Sequence, residues 1–240
     1  MLQEVWLQIM KFVFTPDWFL SADVLIEGFS FLVLLTFFIL CLRYYKLNKN
    51  KNFMYLGSGF LLIALAQVAV ILTKVVLYYD TTFVQQVGRM IITSHAVSSV
   101  DIFYYIGFFL HKFLTLLGFY IIYRLPAKEK SSEDFFLAFY FIIVSAFFST
   151  NIYYLYHLSV LILLAFIINN YCQVYIKNQA KNTLILIIAF GMLAFSNVLF
   201  FLSKLQTIYV TANIIELASY AILLTLIVRI LRCEKVSKKG

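Results

Sequence analysis

Charge is what this chain has least of. Of its 240 residues only 12% are Asp, Glu, Lys or Arg, and 63% are hydrophobic; soluble domains carry about 25% and about 45–50% respectively. That balance excludes a soluble fold and any appended soluble catalytic domain. Roughly seven apolar spans of about 20 residues consume nearly the whole length. Proline is almost missing: Pro16 and Pro126 are the only two, and both lie outside the apolar runs, so the spans have no proline hinges. Three cysteines, Cys41, Cys172 and Cys233, form no CxxC pair, which argues against a disulfide framework or a thiol oxidase. No Gly-rich phosphate loop and no His/Asp/Glu cluster at metal-ligand spacing occurs. Neither a bound cofactor nor an enzyme is therefore expected. The excess of 19 Lys and Arg over 11 Asp and Glu gives +8, which in such a chain belongs to cytoplasmic loops and not to a nucleic-acid partner.

What is present is apolar and aromatic. The 26 Phe and 17 Tyr come with abundant Ile, Asn and Lys, a mixture that A/T-biased coding explains better than an aromatic binding surface does. Continuous apolar runs mark seven spans: Ala22 to Leu42, Phe53 to Tyr78, Ile102 to Tyr123, Phe135 to Phe148, Ile152 to Val174, Leu184 to Leu202 and Ile208 to Ile230. The fold class is all-α, a polytopic seven-helix membrane bundle over residues 22–230. Residues 1–14, with Leu2, Val5, Trp6, Ile9 and Val13 at helical spacing, read as an interfacial amphipathic helix. Residues 231–240 form a short basic cytoplasmic tail. The long connection 80–100 reads as a surface helix or lid opened by Thr81 and Thr82, or as an extension of the third span.

Alternate connections hold fourteen of the nineteen basic residues: Arg43, Lys46, Lys49 and Lys51; Arg124, Lys128 and Lys130; Lys177 and Lys181; and Arg229, Arg232, Lys235, Lys238 and Lys239. The positive-inside rule then sets the N-terminus outside and the C-terminus in the cytoplasm of a multi-pass cell-membrane protein. Only an odd number of spans permits that alternation, which favours counting the short fourth run.

The chain also matches itself. Shifted by 130 residues, Tyr44 to Val75 aligns without a gap on Val174 to Leu205, with ten identities in 32 positions, including Asn48/Asn178, Lys51/Lys181, Phe60/Phe190 and Lys74/Lys204. Gln67 meets Asn197, and Glu27 meets His157. The expected plan is a 3+1+3 parallel repeat, with halves at about 22–125 and 152–230 and a linker helix at 135–148. This plan resembles that of the sugar-efflux transporter and PQ-loop group and of microbial rhodopsins. It departs from both: no Pro-Gln dipeptide occurs, and span seven has no lysine for retinal. Arg43-Tyr44-Tyr45-Lys46, followed by Tyr55-Leu56-Gly57-Ser58-Gly59-Phe60-Leu61-Leu62, resembles the first hairpin of the seven-helix sensor modules at the N-termini of prokaryotic histidine kinases. That resemblance implies a sensor. The basic tail carries no kinase, so signalling would need a separate cytoplasmic or membrane partner.

Function must lie in the polar residues that the spans retain, because a charge in hydrocarbon costs roughly 2.5–3.5 kcal/mol even on mild scales. Glu27 and Lys74 sit near the outer ends of spans one and two, where they either pair or snorkel to the interface. Lys112 and Glu216 fall near the midplane of spans three and seven. His111 adjoins Lys112, and His157 and Asn197 lie in the outer third of spans five and six. In span seven, Gln206, Tyr209, Asn213, Glu216 and Tyr220 form one stripe; Asp101, Tyr105 and Lys112 form another in span three. Two stripes at matching depth suggest facing helices. A Lys112–Glu216 pair would then floor an outward-facing pocket, with Glu27, His157 and Asn197 on its walls, Tyr209 and Asn213 touching a small ligand, and His111 as a further ligand-binding candidate. Gly57-Ser58-Gly59 reads as close helix packing and not as a nucleophile turn. The expected function is a receptor-like sensor in the lipid bilayer. The alternatives are a small-solute or ion transporter and an assembly or scaffold subunit.

Overall fold

The computed structural model describes residues 16–86, 95–125, 132–149, 152–202 and 205–237. After a short 3-10 turn at Asp17–Phe19 come seven helices: α1 Leu20–Asn48, α2 Lys51–Gln86, α3 His95–Arg124, α4 Ser132–Phe148, α5 Tyr153–Asn178, α6 Lys181–Leu202 and α7 Gln206–Ser237. The helical state follows from the solvent that these compositions imply, since hydrocarbon offers no partner for a backbone N–H or C=O and a helix satisfies both internally. Six of the helices are long and apolar enough to cross a membrane; the chain is a multi-pass helical membrane protein. The exception is α4, whose seventeen residues reach about 25 Å against a hydrocarbon core of about 30 Å.

The expected interfacial segment 1–14 lies outside the described residues. In the long second connection, Thr81 and Thr82 do not open a new helix but continue α2, which ends at Gln86, and α3 begins at His95. At the other end, α7 runs through the start of the basic tail to Ser237.

Packing closes six helices into a ring. Helix α1 packs on α2, α2 on α3, α3 on α5, α5 on α6, α6 on α7, and α7 back on α1. Short α4 lies outside this ring, against α3 and α5, and turns Phe136, Tyr140, Phe141 and Phe147 outward. Taking the end where α1 begins as the upper end, the lower half of the ring is filled by apolar side chains from every ring helix: Leu34 and Phe37, Phe60 and Ile63, Leu116 and Ile122, Leu164 and Ile167, Leu186 and Phe190, Leu223 and Ile227. Phe37 stacks on Phe60 with ring centroids 4.7 Å apart.

In lipid, apolar burial alone does not hold helices together, so close approach and polar contacts must. Gly59 and Gly118 supply the closest approach, between α2 and α3. A Cβ on Gly59 would stand 3.0 Å from the Gly118 carbonyl oxygen, and one on Gly118 would stand 2.8 Å from that of Gly59. Polar contacts join other pairs: Ser196 and Ser219 tie α6 to α7 through the carbonyls of Ala212 and Ala189 at 2.9 and 2.8 Å, and Ser145 meets Ser159 across α4 and α5 at 2.7 Å.

Two of the turns are alike in detail. Helix α1 ends at Lys49, with φ 53°, whose N–H donates to the Tyr45 carbonyl; α5 ends at Gln179, with φ 46°, whose N–H donates to the Tyr175 carbonyl. Among the described residues these are the two non-glycine positions with positive φ. The next bond repeats as well, Phe53 N–H to Asn50 at 3.1 Å and Thr183 N–H to Ala180 at 3.0 Å. Every partner in the second set lies 130 positions after its counterpart in the first.

Candidate functional site

Polar side chains gather in the upper half of the ring, where three groups form a buried ionic node. The Lys74 ammonium donates to Asp23 Oδ2 at 2.6 Å and to Glu27 Oε1. Asp23 and Glu27 share a face of α1 because they are four residues apart, and Lys74 reaches them from α2. Asp23 is fully buried, while the side chains of Lys74 and Glu27 are 9% and 13% exposed. The expectation that Glu27 and Lys74 snorkel to an interface therefore does not hold: each finds its counter-charge inside the protein. From α7, the Tyr209 hydroxyl donates to Asp23 Oδ2 at 3.3 Å. Lower on α7, Glu216 lies within charge–charge range of Glu27, Asp23 and Lys74, beside the Tyr220 hydroxyl. That hydroxyl also neighbours Gln67 of α2 and lies within electrostatic range of Tyr156 on α5.

The imidazoles occupy the other side of the ring and are held in defined tautomers. His111 Nδ1 faces the Ala66 carbonyl at 3.1 Å; a carbonyl only accepts, so Nδ1 carries the hydrogen and Nε2 accepts from the Tyr156 hydroxyl at 3.4 Å. His111 thus ties α3 to α2 and α5. His157 Nδ1 donates to Asn197 Oδ1 at 3.0 Å, and the Asn197 amide nitrogen donates to the Leu193 carbonyl at 2.9 Å, which fixes the orientation of the amide. The His157 ring stacks on Phe200 with centroids 5.1 Å apart.

One expected contact is not made. Among the described residues no ion pair joins Lys112 to Glu216; Lys112 Nζ donates instead to the Ser149 carbonyl at 2.8 Å, just past the end of α4. The reason is topological: α3 packs on α2, α5 and α4, whereas α7 packs on α6 and α1, so the two helices stand opposite each other in the ring and not side by side. The Asn213 amide donates to the Tyr209 carbonyl at 3.0 Å within α7. Of the expected constellation, the structure brings Glu27, Lys74, Tyr209 and Glu216 together. It sets His157 with Asn197, puts His111 between the two groups, and turns Lys112 toward α4.

Asp23, Gln67 and Tyr156 complete the layer and are not apparent as site residues in the sequence. The signal for Asp23 was its i, i+4 spacing from Glu27; near a helix start it passes for an ordinary first-turn acid. Among the described residues, no His, Cys, Asp and Glu side chains group as a metal ion would require. The upper half therefore holds a connected polar layer, running from the acidic node between α1, α2 and α7 through Tyr220 and Tyr156 to His157 and Asn197. It can hold protons, hydrogen-bonding groups or a cation. No known protein family, curated protein or solved structure matches this chain.

Proposed function

We propose that the protein is a receptor-like membrane sensor, in which the polar layer binds a small ligand from outside the cell and a separate partner receives the signal at the cytoplasmic face. One observation carries this reading: the acidic, lysine and imidazole side chains that face the ring's interior, Asp23, Glu27, Lys74, His111, His157 and Glu216, gather in its upper half, while the interior of the lower half is packed mainly with apolar side chains from all six helices. A conducting path would need polar groups in that lower half as well. The basic connections between α1 and α2 and between α5 and α6 lie at the lower end, so the positive-inside rule supports an extracellular layer, an outer N-terminus and a cell-membrane location, with α4 counted as a seventh span.

Ligand-dependent thermal stabilisation of purified protein, screened with small polar solutes, tests the reading. A stabilising solute should lose its effect in Glu216→Gln, and the same solute should not accumulate in proteoliposomes. Uptake that requires the protein and disappears in Glu216→Gln would replace the sensor with a transporter. The transport reading has one observation of its own in the two matching turns at Lys49 and Gln179, together with a ring in which each three-helix half meets the other at both ends. This supports a 3+1+3 parallel repeat, an arrangement that transporters use for alternating access.

A further inference from the structure

We propose that the Asp23–Lys74–Glu27 node is a proton-binding site, which takes one proton from water onto Glu27 Oε2 and so switches the polar layer between two charge states. Three carboxyl groups, Asp23, Glu27 and Glu216, lie within charge range of one ammonium, Lys74. With all of them ionised the layer carries two uncompensated negative charges inside an apolar bundle, a costly arrangement.

The contacts decide which carboxyl takes the proton. Asp23 is the best-held anion: it is fully buried and receives both the Lys74 ammonium and the Tyr209 hydroxyl. Glu27 receives Lys74 on Oε1, and its other oxygen, Oε2, is buried with no hydrogen-bond partner among the described residues. Desolvation of that orphaned oxygen opposes a negative charge on the Glu27 carboxyl and favours its neutral form. A proton on Oε2 removes that charge and leaves Oε1 free to accept from Lys74, so the ion pair to Asp23 survives in both states.

The surrounding groups are few. Asp23 lies on the same helix, with Asp17 in the turn before it; Lys74 comes from α2; Tyr209, Glu216 and Tyr220 come from α7. His111 lies within charge range of Lys74 from α3 and, with both nitrogens engaged, does not compete for the proton. This inference deepens the sensor proposal, resting on it only for the consequence that ligand affinity then follows pH. The proton itself can be observed without any ligand.

The experiment is pH-difference infrared spectroscopy of the protein in liposomes, following the C=O stretch of protonated carboxylic acids. The parent protein should show a band that titrates with pH, lost in Glu27→Gln and retained in Glu216→Gln. A band that fails to titrate, or one that persists in Glu27→Gln, overturns the assignment. Should Glu27→Gln fail to fold by circular dichroism, Glu27→Asp keeps the acid but moves it by one methylene. The band must then shift, and an unshifted band is equally fatal. Failure of ligand stabilisation with an intact Glu27 band would reject the sensor and leave the proton site standing.

Discussion

Replacing Lys74 by Met keeps the length of the side chain and removes its charge, leaving Asp23 and Glu27 facing each other without a cation. Nζ stands 2.6 Å from Asp23 Oδ2 and also contacts Glu27. With exposures of 9, 0 and 13% for the three side chains, water can rescue little of the loss. A surface pair broken in this way costs about 0–1 kcal/mol, whereas a buried pair deprived of one partner costs about 3–5 kcal/mol. The buried figure applies here, because Asp23 is fully buried and loses the one ammonium that contacts it. The compensating change follows from the same physics: Lys74→Met combined with Asp23→Asn and Glu27→Gln removes every charge of the node and should return to within about 1 kcal/mol of the parent. Unfolding of the single, double and triple variants in mixed detergent micelles, arranged as a thermodynamic cycle, measures the coupling. If Lys74→Met costs less than about 1 kcal/mol, or if the triple variant is no more stable than the single one, the node is not a buried ion pair and the reasoning fails.

Three further outcomes are expected. Gly118→Ala should destabilise the bundle by about 1–3 kcal/mol, since its Cβ would meet Ile63 Cγ1 at 2.6 Å and the Gly59 carbonyl at 2.8 Å; Gly28→Ala, with nothing within 4 Å, should be neutral or slightly stabilising in the same unfolding assay. Because Lys112 and Glu216 belong to helices that do not pack together, Lys112→Met and Glu216→Gln should add within about 0.5 kcal/mol in a double-mutant cycle, and a coupling well above that would restore the direct pair. Lys49→Gly and Gln179→Gly should each stabilise by up to about 1–2 kcal/mol, by removing a Cβ from a left-handed position; a loss of stability in either would show that its cap depends on the side chain.

The sequence by itself determined the solvent and much of the one-dimensional plan. Its low charge and long apolar runs required helices in lipid, and the run boundaries fall within a few residues of the helices except at the end of α1, the end of α2, the start of α3 and the end of α7, where the helices extend beyond them. The 130-residue self-match located two turns that the backbone makes alike. Glu27 and Lys74 stood out because a charge in an apolar run needs a partner. What the sequence could not carry is azimuth. Depth along a helix follows from counting residues, but which helices meet depends on contacts such as Gly59 with Gly118. Lys112 and Glu216 match in depth although their helices are not neighbours in the ring, and beyond its spacing from Glu27 nothing in the sequence singles out Asp23. Only the closed ring, which brings α7 and α2 against α1, turned Asp23, Glu27 and Lys74 into a single node, because a counter-charge 51 positions away in the chain becomes a neighbour only through tertiary packing.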